Sequence, residues 1–177
     1  YLRPVWRKNT EEERLLGVSL TGIMDNELTN NPTEEFLTKL RNTAIQTNDD
    51  FAQQLGISPS ASITCVKPSG TVSQLVDSAS GIHARHSAYY IRTVRGDNKD
   101  PLTQFMKDAG IPSEPCVMKP DSTTVFSFPM ASPVGAITRN DMSALQQLYK
   151  WEKYALHWCE HKPSVTITVR DDEWMKV

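Results

Sequence analysis

The spacing of apolar positions along the chain changes several times, and each change predicts an element. Gly17-Val18-Ser19-Leu20-Thr21-Gly22-Ile23 is a short apolar run bounded by glycines, which predicts a buried strand. Asn31-Pro32-Thr33-Glu34 predicts a helix start, with Asn31 as N-cap, Pro32 at the first helical position and an acidic residue close behind. Leu37, Leu40, Ala44, Phe51 and Leu55 then keep to one helix face, and Gly56 supplies the stop. Ala61 to Lys67 reads as the next strand, followed by a glycine-containing loop and a short helix over about Val72 to Asp77.

The second half continues in the same manner. Ser87 to Arg95 carries Tyr89, Tyr90, Ile91 and Val94, a strand-like set. Asp100-Pro101 opens a short helix with Leu102, Phe105, Met106 and Ala109 expected inward and Gly110 ending it. Ser122 to Phe128 predicts a strand ended by Pro129. The strongest helical pattern runs from Asn140 to about Glu160, with Leu145, Leu148, Trp151, Leu156 and Cys159 among its apolar positions. Val165, Ile167 and Val169 alternate with polar neighbours, as in a half-buried strand. Strands separated by helices predict an α/β architecture with some parallel pairing, either a small sheet or half of a larger barrel.

With 177 residues and no internal repeat, the chain is expected to form one structural unit spanning 1–177. A formal net charge of −2 argues against a partner bound by neutralising nucleic-acid phosphates. No apolar run approaches the roughly 18–20 residues that span a bilayer, so no membrane role is expected. Cys65, Cys116 and Cys159 fit neither a zinc pattern nor a CxxC motif and predict buried thiols in a reducing, cytoplasmic setting. Both ends, Tyr1-Leu2-Arg3-Pro4 and Glu173-Trp174-Met175-Lys176-Val177, read as cuts within a longer protein.

Chemistry is concentrated in Pro68-Ser69-Gly70-Thr71-Val72-Ser73. A strand that runs through this loop into a helix gathers backbone N–H groups at the positive end of the helix dipole. Gly70 is expected to allow a turn that a β-carbon would block and to let a ligand approach the backbone. Ser69, Thr71 and Ser73 add hydroxyl donors, and together these favour an anion such as a nucleotide phosphate. The GxxxxGK[ST] spacing of a P-loop is absent. The same residues also suit an ordinary turn with a helix cap. His157 and His161 stand four apart near a helix end, but with no third ligand evident they predict packing and dipole contacts, and no metal site is assigned. Glu11-Glu12-Glu13-Arg14 reads as a solvated helix start, and Trp6, Trp151, Trp158 and Trp174 as packing residues.

The loop has informative neighbours. Val66 to Ser73, then Ser80-Gly81-Ile82-His83 and Tyr89-Tyr90-Ile91-Arg92-Thr93-Val94-Arg95, closely resemble the class II, adenosylcobalamin-dependent ribonucleotide reductases. Upstream Glu13 to Ile23 and downstream His157 to Thr166 resemble the same family, in the same order and nearly end to end. The resemblance implies that the chain is part of the C-terminal half of a ten-stranded α/β barrel. It implies that Pro68, Ser69, Gly70, Thr71, Val72 and Ser73 hold the substrate's phosphates, fixing the ribose against a radical cysteine. Class I relatives carry an acidic residue where Gly70 stands, so the glycine favours the cobalamin class. Adenosylcobalamin, a ribonucleotide substrate and a thioredoxin-type reductant are implied for the whole enzyme. His83, Arg85 and His86, which follow the loop, are implied to line the active site or approach the cofactor, though a solvated turn feeding a strand accounts for them as well.

The family's Asn-Pro-Cys-Gly-Glu motif, with its thiyl-radical cysteine, does not occur in this sequence. No catalytic residue is therefore assigned, and the chain alone is expected to be inactive. The motif is expected on an upstream segment or a complementing chain. The alternative is a non-catalytic nucleotide- or phosphate-binding module that kept the loop.

Overall fold

The computed structural model describes residues 3–177. In chain order the elements are α1 (Pro4–Glu13), β1 (Val18–Ser19), a 3₁₀ turn (Ile23–Asp25), α2 (Glu27–Asn30), α3 (Glu34–Leu55), β2 (Thr64–Cys65), α4 (Val72–Leu75), β3 (Tyr89–Asp97), α5 (Pro101–Asp108), β4 (Ser113–Pro115), β5 (Thr123–Ala131) and α6 (Ala144–His157). They divide into two units, one made of the residues up to Arg85 together with Ile137–Val177, the other of His86–Ala136. The architecture is α/β, with one two-stranded and one three-stranded sheet. No helix among the described residues is long and apolar enough to cross a membrane.

In the first unit, β1 pairs in parallel with β2, Val18 opposite Thr64 and Ser19 opposite Cys65. The run from Gly17 to Ile23 is thus a strand for only two residues, and Val18 is exposed. The reason is Gly22, whose φ of 68° turns the chain into the 3₁₀ turn and sends Ile23 into the core. That core joins Ile23, Leu37, Val66, Ile82, Tyr154, Trp158 and Cys159.

Helix α3 is capped by Thr33, whose hydroxyl accepts from Phe36 N at 3.1 Å, rather than by Asn31. Asn31 instead closes α2, its N–H bonded to Glu27 O, and Pro32 is buried between the two helices. At about 1.5 Å per residue the 22-residue helix outruns the core. Leu37 is therefore buried, while Phe51 and Leu55 are exposed and only Ala52 is buried near the end. Gly56 ends the helix in the left-handed region, as its position predicts.

Helix α6 begins at Ala144, four residues later than its apolar pattern predicts. Ser143 and Gln146 form a reciprocal capping box there. The preceding residues make a turn instead, closed by Asp141 accepting from Thr138 N and Oγ1. Its buried line is Ala144, Gln147 and Tyr154, and Leu156 is exposed. Residues 165–169 alternate in burial as their sequence does but form no ladder among the described residues. They are held by single bonds, such as Thr166 N to His83 Nε2 at 2.9 Å. Glu11 to Glu13 lie in the last turn of α1, not at a helix start.

In the second unit the strand order is β3-β5-β4, all antiparallel, running from Tyr89 opposite Ala131 to Asp97 opposite Thr123. Pro129 does not end the strand and lies opposite Ile91. Pairing with β4 reaches only Thr124–Phe126, so the proline sits where a missing N–H costs no ladder bond on that side. Asp100 caps α5 and Pro101 opens it, as predicted. The face turned to the sheet is Thr103, while Leu102 and Phe105 are exposed. A β-carbon at Gly96 would stand 2.4 Å from Thr103 Oγ1, so helix and strand approach more closely than two larger side chains would allow.

Candidate functional site

The chain leaves β2 through buried Cys65 and Val66 and enters the loop at Lys67, whose N–H donates to Ser19 Oγ at 3.0 Å. Ser69 O accepts from Ser73 N at 2.9 Å, and Thr71 O from Gln74 N at 3.1 Å, which winds Pro68 to Ser73 into the first turn of α4. That helix has only four residues, and Asp77 follows it in the left-handed region at φ 45°. The dipole behind the loop is therefore that of one turn, smaller than the sequence pattern promised. Pro68, Gly70, Thr71 and Val72 are exposed and Ser69 is half-buried, whereas Ser73 is wholly buried. Thr71 occupies the N-cap position without using its side chain to cap.

Gly70 departs from its expected role. A β-carbon there would meet nothing within 4 Å, and its φ lies outside the left-handed region. The turn therefore does not need a glycine at this position. The glycine the local fold does need is Gly81, at φ 56°, where a β-carbon would lie 3.4 Å from Lys67 O.

Beneath the loop, segments distant in sequence lock together. Thr21 Oγ1 lies 2.7 Å from Ser69 Oγ and accepts from Gly81 N at 2.9 Å, and Ser80 Oγ is 3.4 Å from Ser69 Oγ. Gly22 N donates to Ala79 O and Ile23 N to Gly81 O. Ala79 N donates to Asp25 Oδ2 at 2.6 Å, and Ser78 N to Ser73 O at 2.9 Å. The loop thus rests on a hydrogen-bonded frame made by residues 19–25 and 78–81.

Arg85 fastens that frame. Its buried guanidinium meets both Asp25 oxygens, at 2.8 and 3.2 Å, and reaches Asp77 O at 2.7 Å and Asp77 Oδ1 at 3.3 Å. The hydrogen bond to Asp25 raises its pKa further above the ordinary guanidinium value. His83 is similarly engaged: Nδ1 lies 2.9 Å from Ser80 O, and Nε2 accepts from Thr166 N. His86 belongs to the other unit, is exposed and packs edge-on to Tyr90 with ring centroids 5.7 Å apart. The structure therefore gives His83 and Arg85 internal hydrogen-bond partners.

Elsewhere, His157 contacts Glu34 Oε2 and Thr38 Oγ1, both at 3.5 Å, and His161 lies beyond the end of α6. Among the described residues no group of three or more His, Cys, Asp or Glu side chains is placed to hold a metal. All three cysteines are buried and unpaired, and burial pushes the Cys159 thiol up to about 12, which makes it unreactive. Trp158 is buried in the core and Trp151 half-buried, but Trp6 and Trp174 are exposed. Sequence reasoning missed Thr21, Ser80 and Asp25 as supports for the loop. Their partners lie up to 60 residues away, and no local pattern announces such contacts.

No family model matches the sequence. The chain is 32% identical over 169 residues to the adenosylcobalamin-dependent ribonucleoside-triphosphate reductase of Euglena gracilis, covering 92% of this chain and 23% of that protein. It is 31% identical over 140 residues to the enzyme of the same name from Lactobacillus leichmannii, covering 76% of this chain and 19% of that one. The chain thus spans about a fifth of the length of these relatives. A crystal structure of a B-12 dependent (class II) ribonucleotide reductase shares the fold, with a TM-score of 0.78 over 98% of this chain and 28% of that one, at 24% identity. On the strength of these relatives, the chain belongs to the class II, B12-dependent ribonucleotide reductase family.

Proposed function

We propose that this chain holds the phosphates of a ribonucleotide substrate within the catalytic barrel of an adenosylcobalamin-dependent ribonucleotide reductase. The observation that carries the reading is the loop Pro68 to Ser73. It is exposed at Gly70, Thr71 and Val72, it rests on the frame from Ser19 to Asp25, and its glycine is not required by its own backbone. Ser69 and Thr71 would offer hydroxyls and the loop backbone its amides. Ser73, being buried, would contribute through its backbone and its packing. Both units would form one partial domain, the C-terminal part of a ten-stranded α/β barrel, with strands supplied from outside this chain.

The radical cysteine would come from an upstream segment or a complementing chain carrying Asn-Pro-Cys-Gly-Glu, and a thioredoxin-type reductant would restore the active site. Adenosylcobalamin would supply the initiating radical in the whole enzyme. The polar atoms of His83 and Arg85 already have protein partners, so neither fits a cofactor contact, and His86 alone makes no cradle. This chain's part is to bind and orient, and a substrate held in reacting geometry can lower a barrier by several kcal/mol. Three unpaired cysteines support a reducing, cytoplasmic setting.

Mixing the chain with a segment that carries the missing motif tests the reading. Deoxynucleotide formation that depends on adenosylcobalamin is the expected result. A well-folded mixture that binds nucleotide but forms no product would favour a non-catalytic phosphate-binding module.

A further inference from the structure

Thr21 lies 48 residues from Ser69 in sequence and meets it directly. Its Oγ1 accepts the Gly81 N–H at 2.9 Å and stands 2.7 Å from Ser69 Oγ and 3.2 Å from Ala79 O. A hydroxyl has one proton and two lone pairs, so two proton arrangements satisfy this cluster. In one, Thr21 donates to the Ala79 carbonyl and Ser69 donates to Thr21, which turns the Ser69 proton inward. In the other, Thr21 donates to Ser69 along the shorter contact, and the Ser69 proton is left to point out of the loop.

We infer that Thr21 is a positioning residue for the anion: it gives its hydrogen bond to Ser69 Oγ so that Ser69 donates outward to a phosphate oxygen. The inference rests on the phosphate reading above and adds to it a residue and a direction of hydrogen bonding. From Gly81 N–H through Thr21 O–H to Ser69 O–H the donors then run in one sense, each polarised by the one behind it. Without an anion, Ser80 Oγ at 3.4 Å is a weak alternative acceptor for the last proton. A charged phosphate oxygen is a stronger one and selects the outward arrangement.

The test measures binding of a ribonucleoside triphosphate and of the matching nucleoside to the intact protein by titration calorimetry. It compares wild type, Thr21→Val, Thr21→Ser, Ser69→Ala and the double variant Thr21→Val/Ser69→Ala. Thr21→Val should weaken triphosphate binding about 10-fold, the scale of one charge-assisted hydrogen bond, and leave nucleoside binding nearly unchanged. Thr21→Ser should restore wild-type affinity, and Thr21→Val should add nothing once Ser69 is alanine. If the valine variant does not fold, Thr21→Ala, which lets water reach the Gly81 N–H, carries the same expectation. Equal losses for triphosphate and nucleoside, or a Thr21 effect that adds in full to that of Ser69→Ala, would overturn the inference. Triphosphate binding untouched by Ser69→Ala would instead remove the phosphate reading on which it stands.

Discussion

Replacing Arg85 with methionine separates two roles for that residue, a clamp within the fold and a contact for a ligand. The guanidinium side chain is 5% exposed, that of Asp25 20% and that of Asp77 76%. Breaking a fully buried ion pair costs about 3–5 kcal/mol, because the partner charge is stranded. Asp25 keeps some solvent and its bond from Ala79 N, so the Asp25 share falls to about 2 kcal/mol. The contact with the Asp77 carboxylate contributes little, since that group faces water. The bond to the Asp77 carbonyl adds about 1 kcal/mol. The expected loss for Arg85→Met is thus about 3 kcal/mol. With a urea slope of about 2 kcal/mol per M, the unfolding midpoint should fall by about 1.5 M. The same measurement on Asp25→Asn and on the double variant should show strong coupling between the two sites. A midpoint that scarcely moves, together with lost nucleotide affinity, would refute the clamp and return Arg85 to the ligand-facing residues.

Other outcomes follow from single contacts. Burial alone would raise the Glu160 carboxyl, but hydrogen bonds from Thr64 N, Ile63 N and the Thr64 hydroxyl hold it below its usual range. Its contribution to stability is complete above the ordinary carboxylate pKa of about 4.3 and is lost as pH falls through the lowered value. Glu160→Gln should accordingly flatten the acid limb of urea midpoints measured from neutral pH downward. Backbone hydrogen bonds from Met118 and Lys119, with help from Arg95, lower the Cys116 thiol, whereas Cys159 is pushed up to about 12. Timed iodoacetamide labelling near pH 8 should modify Cys116 before Cys159. Gly96→Ala should cost about 1–3 kcal/mol in thermal or urea unfolding, because its β-carbon would meet Thr103 Oγ1 at 2.4 Å.

The sequence made the fold legible wherever a signal was local. The proline start and aspartate cap of α5, the glycine end of α3 and the span of β3 all lie close to where their residues predict them. Burial was harder to read, because it depends on what each face meets. Phe51 and Leu55 extend the stripe of α3 past the end of the core, and Thr103 takes the inward place of larger neighbours because Gly96 brings α5 close. Residues 165–169 alternate like a strand, yet no described strand pairs with them, and pattern alone cannot supply a partner. The loop was visible through its own residues and its resemblance. Its supports were not, since Thr21, Asp25 and Arg85 act on it across the fold. The glycine at position 70 also changed in meaning, since the turn expected to require it accommodates a β-carbon without a contact.

Substitution at that glycine tests the central claim most directly, with ribonucleoside triphosphate affinity of the intact protein as the readout. Because a β-carbon at Gly70 meets nothing within 4 Å, Gly70→Ala and Gly70→Asp should both fold with near wild-type stability. A loop that holds phosphate predicts a modest loss of affinity for alanine and a loss of about 10-fold or more for aspartate, which crowds and repels the anion. Wild-type affinity in a folded Gly70→Asp protein would contradict the account.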